Sequence, residues 1–183
     1  MAGRTRVGTH MTIGKIDPRY GDPSATAPAW AAIEGLLVDA QLYWIVTVRV
    51  DGRPHAVPLV GVWHEGAFAF CTGAEEQKQR NLDAHPHVAV TTGDTGGGGW
   101  DSGVELVIEG VAERVTDNGQ LEALAEVWFA KYGDDWRFAV RDQEFVELSE
   151  SGGSTSGGAR VYRVTTSKVI AFGGDHGQTT YRF

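Results

Sequence analysis

The chain has 183 residues, 24 acidic and 16 basic, for a formal net charge of −8, and a single cysteine, Cys71. That length supports one domain with its own core, and the acidic balance excludes broad binding to nucleic acid or anionic membranes, which needs extended Lys/Arg surfaces. One thiol excludes an internal disulfide framework and a multi-thiolate metal site and fits a reducing cytoplasm, while no run approaches the roughly 18 apolar residues of a membrane span.

Residues 1–27 read as a leader, part of it flexible, ahead of a single domain over 28–183. The first ten residues have little apolar content and lack the block a secretory signal needs. His10-Met11 resembles the junction left by an added leader, so Met11 is the expected native start. Pro28 opens a helix over 28–41, with Trp30, Ile33, Leu37 and Val38 at mixed three- and four-residue spacings. Residues 42–50 are dense in β-branched and aromatic side chains, Asp51-Gly52 makes a hairpin turn, and 54–64 continues extended. Pro54 and Pro58 cannot donate ladder hydrogen bonds, so this strand is expected to be bulged or open along one side, leaving backbone groups for a ligand.

Glu65-Gly66 turns the chain into a strand over 67–72; residues 75–84 read as a short helix, and Pro86 precedes a strand over 88–92. Residues 93–103 read as a glycine-rich loop and 104–115 as extended. The clearest helix is 117–132, with Leu121, Leu124, Ala125, Trp128 and Phe129 along one stripe and Asp117 able to cap its start. Residues 136–148 fit either helix or irregular structure, 149–158 is a Ser/Gly loop inside the domain, and 159–172 is a strand before a glycine-interrupted tail. About six strands, mostly antiparallel, with few helices, put the fold class at mainly β, and closure into a small barrel removes the exposed edges of such a sheet. Trp30, Trp44, Trp63, Trp128 and Trp136 are expected to fill the core and a subunit interface.

The strongest functional signal lies in residues 67–82, where an apolar strand runs into a turn bearing Lys78 and Arg80 beside Thr72, Gly73 and Asn81. This is a local cationic exception in an acidic chain. It suits a phosphate, because charge-assisted bonds are the stronger kind and a helix start adds backbone donors to the same anion. The competing reading is a solvated helix face balanced by Glu75 and Glu76. His85 and His87 flank Pro86 without acidic or thiolate partners at metal-ligand spacing, so no metal is expected. Cys71, in an apolar strand with no activating neighbour in sequence, reads as a small buried hydrophobe rather than a nucleophile. Residues 96–99 lack the Lys-Ser/Thr that follows a nucleotide-binding P-loop and read as a flexible loop that could act as a lid.

Taken in order, Asp51-Gly-Arg-Pro-His-Ala-Val-Pro-Leu-Val, Thr72-Gly73, Lys78-Gln-Arg-Asn-Leu and Pro86-His-Val-Ala-Val resemble the pyridoxamine 5′-phosphate oxidase-like family of FMN-binding split barrels. The branch they resemble is that of the flavin and deazaflavin oxidoreductases, which use FMN or coenzyme F420. The likeness runs through 28–132 and resumes at 161–172 and the terminal Thr-Tyr-Arg-Phe. It implies a six-stranded antiparallel split barrel and a homodimer with cofactor sites at the subunit interface. By the same resemblance, Lys78 and Arg80 hold the cofactor phosphate, and Thr72, Gly73 and Asn81 complete the cradle. His55, Val57 and Pro58 lie along the ring, and Trp100 and Tyr181-Arg182 enclose its open face, with the second subunit as one source. The longer acidic tail of F420 calls for further cations, for which Arg49, Arg53 and Lys15 are candidates.

The implied activity is hydride transfer between bound FMN or F420 and a small conjugated organic substrate, in the cytoplasm, with no catalytic side chain assigned. Two alternatives stand beside it: a carrier of flavin, F420 or haem without turnover, and a pyridoxamine 5′-phosphate oxidase. The Arg/Trp run that binds pyridoxal phosphate in true oxidases has no match in 168–183.

Overall fold

The computed structural model describes residues 12–22, 24–94, 102–148, 157–174 and 176–183. Tyr43, Ile45 and Thr47 are buried along β2 (Tyr43–Val48), while Trp44, Val46 and Val48 take the other face. The Asp51-Gly52 turn, with Gly52 at φ 84°, returns the chain into β3 (Pro54–Leu59), paired antiparallel to β2. Among the described residues only β2 pairs with β3. Pro54 and Pro58 bring no N–H to a ladder, so the open side that the sequence suggests is present.

After Val60-Gly61 the chain re-enters the sheet as β4 (Val62–His64), which pairs with β5 (Ala67–Gly73) across the Glu65-Gly66 turn. Gly61 is required at that bend, because a Cβ there would lie 2.4 Å from Phe68 Cζ and 2.7 Å from the Ala69 carbonyl oxygen. β5 continues to the first half of β10 (Ala159–Gly173), and β10 to β7 (Val104–Arg114), β6 (His87–Asp94) and back to β2. The two ends of this circuit, β3 and β4, are joined by the chain and, among the described residues, by no ladder. The barrel is therefore open at Val60-Gly61, and counting β3 and β4 as one bent strand gives the six strands of a split barrel.

Further strands extend that circuit. β11 (Gly177–Arg182) pairs with the second half of β10, and β1 (Lys15–Ile16) with β11. A register shift between Thr166 and Lys168 lets one 15-residue strand serve β5 at one end and β11 at the other. Residues 136–148, ambiguous in sequence, form the end of a 3-10 turn (Gly133–Trp136) and the hairpin β8 (Phe138–Arg141) and β9 (Glu144–Glu147). The turn holds Asp142 at φ 51° and Gln143 at φ 63°, the left-handed pair a two-residue hairpin needs but without its usual glycine.

The small-large alternation Ala67-Phe-Ala-Phe-Cys in β5 divides the core. Phe68 and Phe70 point into the barrel with Tyr43, Ile45 and Val90, while Ala69 and Cys71 face a second cluster under α3 (Asn118–Tyr132), where Leu121 and Trp128 are fully buried. Asp117 caps α3 by accepting from the Gln120 amide at 2.9 Å. α1 (Trp30–Asp39) inserts Ile33 and Leu37 into the barrel core, and α2 (Gln77–Ala84) inserts Leu82.

Candidate functional site

The end of β3, the end of β5, the start of α2 and the β8–β9 hairpin enclose a cleft of about 320 Å³. Of the sequence-derived site residues, Pro58, Thr72, Gly73 and Lys78 line it. Larger clefts, of about 570, 550 and 360 Å³, lie elsewhere. In the first, Arg163, Thr165 and Asp117 are already bonded to the Glu65 carbonyl, the Glu113 carboxylate and the Gln120 amide, so these polar groups are committed to the fold.

Lys78 is only 7% exposed, Thr72 is buried, and the Gly73 amide borders the same space. The extended Glu76 at the cap position of α2 turns its carboxylate into this group: Oε1 accepts from the Gly73 amide at 2.7 Å, and Oε2 accepts from Lys78 Nζ. Burial raises the Glu76 pKa, but the bonds from Lys78, Gly73 and Thr72 outweigh it and hold the carboxyl below its ordinary value.

Arg80 lies outside the cleft lining, exposed, with Nη2 3.3 Å from Glu75 Oε2. The reason is helical geometry, since residues two apart face away from each other, so α2 cannot aim Lys78 and Arg80 at one point. Asn81 is buried and committed at both ends, donating to Thr47 Oγ1 at 2.8 Å and accepting from Gln77 Nε2 at 2.7 Å. Along β3, Val57 packs against the barrel core while its neighbour Pro58 is exposed, as strand alternation requires. His55 sits opposite Thr47; burial, Arg49 and Lys78 all lower its pKa, so the ring is neutral at physiological pH. Its Nδ1 is buried without a hydrogen-bond partner among the described residues. Trp100 lies outside the described residues.

Arg182 belongs to a different surface. It lies with Lys15 and Asp17 in the 550 Å³ cleft, in register with Lys168. Ala56, Val46, Ala89, Glu109, Lys168 and Arg182 form one cross-strand row from β3 to β11. Five strand spacings separate its ends, about 24 Å along the curved sheet. Arg53 is paired with Asp51 at 2.7 Å in the hairpin turn.

Sequence reasoning missed the aromatic wall of the cleft, Trp136, Phe138 and Phe145, and the carboxylate of Glu147 beside it. Phe138 and Phe145 stack with centroids 4.6 Å apart. The signal was the alternation of Phe138, Val140 and Phe145, Glu147 about a two-residue turn, obscured because Asp142-Gln143 is not a customary turn pair. Among the described residues no group of three or more His, Cys, Asp or Glu side chains is placed to hold a metal, and no helix is long and apolar enough to cross a membrane.

Comparison with known proteins agrees with this architecture. A family model described as pyridoxamine 5′-phosphate oxidase matches residues 29–171. Among solved structures, a haem-binding protein from Mycobacterium smegmatis superposes with a TM-score of 0.65 at 16% identity, over 86% of this chain. The chain spans only 60% of that protein's length. A conserved hypothetical protein from Mycobacterium tuberculosis gives 0.64 at 21% identity, covering 88% of this chain and 90% of that one. An FAD-binding protein from Mesorhizobium loti gives 0.58 at 14%, covering 92% and 98%. At these identities the structural likeness is one of fold. No curated protein matches the chain.

Proposed function

The chain belongs to the pyridoxamine 5′-phosphate oxidase family, and from that premise we propose a homodimeric oxidoreductase that binds FMN or F420 and passes a hydride to or from a small conjugated organic molecule. One observation carries this reading: a nearly buried lysine shares a cleft with a backbone amide, a threonine and an aromatic wall. A phosphate asks for the first three and a planar heterocycle for the last. The residues present fit such a group. Lys78, Gly73 and Thr72 would hold the phosphate, while Pro58, Val60 and Phe138 would flank the ring and exclude water. The cofactor, when bound, supplies the hydride chemistry.

At about 320 Å³ the cleft is at the small end of the ~300–1,000 Å³ usual for ligand sites, which favours a site completed by a second subunit. The outer face of the sheet supports such a pairing. Pro58, Trp44, Thr91, Val107, Ile170 and Thr180 stand in one row across β3, β2, β6, β7, β10 and β11, with Trp44 48% exposed. A twofold packing on that face carries β11 of one subunit toward β3 of the other, the route by which Arg182, about 24 Å from Ala56 of β3 along its own sheet, would reach a cofactor anchored at the partner's cleft.

The test is titration of the protein with FMN, F420 and haemin, followed by visible absorption and fluorescence, in the native chain and in Lys78→Ala and Arg80→Ala. FMN or F420 is expected to bind. Lys78→Ala should weaken that binding by about tenfold or more, the scale of one hydrogen bond to a charged group, and Arg80→Ala by less than about threefold. Unchanged affinity in Lys78→Ala sinks the cradle. Binding of haemin alone replaces the oxidoreductase with a carrier, the reading that the haem-binding neighbour favours. Release of pyridoxal phosphate from pyridoxamine phosphate under oxygen would instead assign the vitamin B6 reaction.

A further inference from the structure

We propose that Glu76 is a resident anion in the phosphate cradle, a competitor that any phosphate ligand displaces from Lys78 and the Gly73 amide. This inference rests on the anion-binding reading of the cleft and adds to it a residue that sets which anions enter. The Glu76 carboxylate makes the contacts a phosphate oxygen would make: one oxygen on the Gly73 amide and the other on Lys78. An ammonium as buried as that of Lys78 is costly to leave unpaired, so the ligand-free protein needs an anion beside it. Glu76 is the only carboxylate in an ion pair with Lys78 among the described residues.

The pairing is built to release. The Glu76 side chain is 51% exposed against 9% for that of Lys78, so a rotation about its own χ angles carries the carboxylate into solvent, where water replaces its contacts, while Lys78 stays in place. Glu76 lies at the cap position of α2, outside the helical residues, so this rotation breaks no helical turn.

The consequence is selection by charge. A neutral ligand cannot replace the carboxylate without stranding Lys78, and a monoanion exchanges one charge for an equal one. A phosphate monoester, close to dianionic at pH 7, presents more charge and more acceptor oxygens and takes the cradle.

The experiment compares FMN, riboflavin and inorganic pyrophosphate binding, the last by calorimetry, in the native protein and in Glu76→Gln, Glu76→Asp and Lys78→Met. Glu76→Gln should bind FMN and pyrophosphate about tenfold more tightly, with riboflavin unchanged, because it keeps the shape and removes the competing charge. Glu76→Asp, one methylene short of spanning Lys78 and Gly73, should shift in the same direction, and Lys78→Met should remove the gain. A gain for pyrophosphate without flavin binding in any variant upholds the resident anion and sinks the flavin reading. Equal or weaker binding of both FMN and pyrophosphate by Glu76→Gln overturns the proposal.

Discussion

Lys78 and Arg80 illustrate how much one helical step decides. They are adjacent in composition and equal in charge, yet only Lys78 reaches the cleft, because α2 turns its second cation toward Glu75 and solvent. Cys71 shows the reverse, a residue whose chemistry is set by its surroundings. It lines the cleft, but burial among the side chains under α3 pushes its thiol up to about 12 from an ordinary 9.0. The thiolate fraction at pH 7.5 falls about a thousandfold, partly offset by the greater nucleophilicity of a more basic thiolate. Cys71 should therefore alkylate with iodoacetamide at least roughly thirtyfold more slowly in the native protein than in the urea-unfolded chain. Equal rates would mean that the end of β5 opens freely.

Among the elements, α3 does more than cover the sheet. Its last two residues meet the open point of the barrel, where Tyr132 donates to the Gly61 carbonyl at 2.7 Å and Lys131 Nζ approaches the same oxygen at 3.3 Å. Lys131 Nζ also lies 3.2 Å from the Tyr43 hydroxyl and 5.1 Å from the Tyr43 ring centroid. These contacts hold the chain where β3 and β4 share no ladder, and so steady the Pro58–Val60 wall of the cleft. Burial lowers the Lys131 pKa from 10.5 to about 8. With the folded value below the unfolded one, the unfolded chain takes up the proton first as pH falls, so this group's contribution to stability declines from about pH 10.5 to about pH 8 and is level below that. Urea midpoints of the native protein and Lys131→Met, compared between pH 7 and 10, should diverge in favour of the native protein only above pH 8. Parallel curves would show that Lys131 is not desolvated.

For the whole molecule, the outer face of β3, β2, β6, β7 and β10 is the surface with a job left to explain. Trp44 at 48% exposure is flanked in register by Pro58 and Thr91, a poor surface to leave to water. As the proposed subunit interface it makes a direct prediction. Trp44→Lys should shift sedimentation from dimer toward monomer while leaving the far-ultraviolet circular dichroism unchanged, since the residue faces away from the barrel core. An undisturbed dimer would move the interface to another face.

Sequence alone determined what local chemistry can specify. The alternation in residues 43–48, the turn at Asp51-Gly52, the Asp117 cap and the Leu121-Leu124-Trp128 stripe each depend on near neighbours, and all appear in the fold. Thr72, Gly73 and Lys78 fall within seven residues of one another, so their meeting in one cleft was legible too. What needed the tertiary structure was every relation across the chain. The aromatic wall of Trp136, Phe138 and Phe145 comes from a 3-10 turn and hairpin about sixty residues after Lys78 in the sequence. The distance of Arg182 from that cleft is set by strand order, and the capture of Glu76 by Lys78 is set by burial. None of these is written in spacing, because they depend on which surfaces pack together and on which charges packing leaves without water.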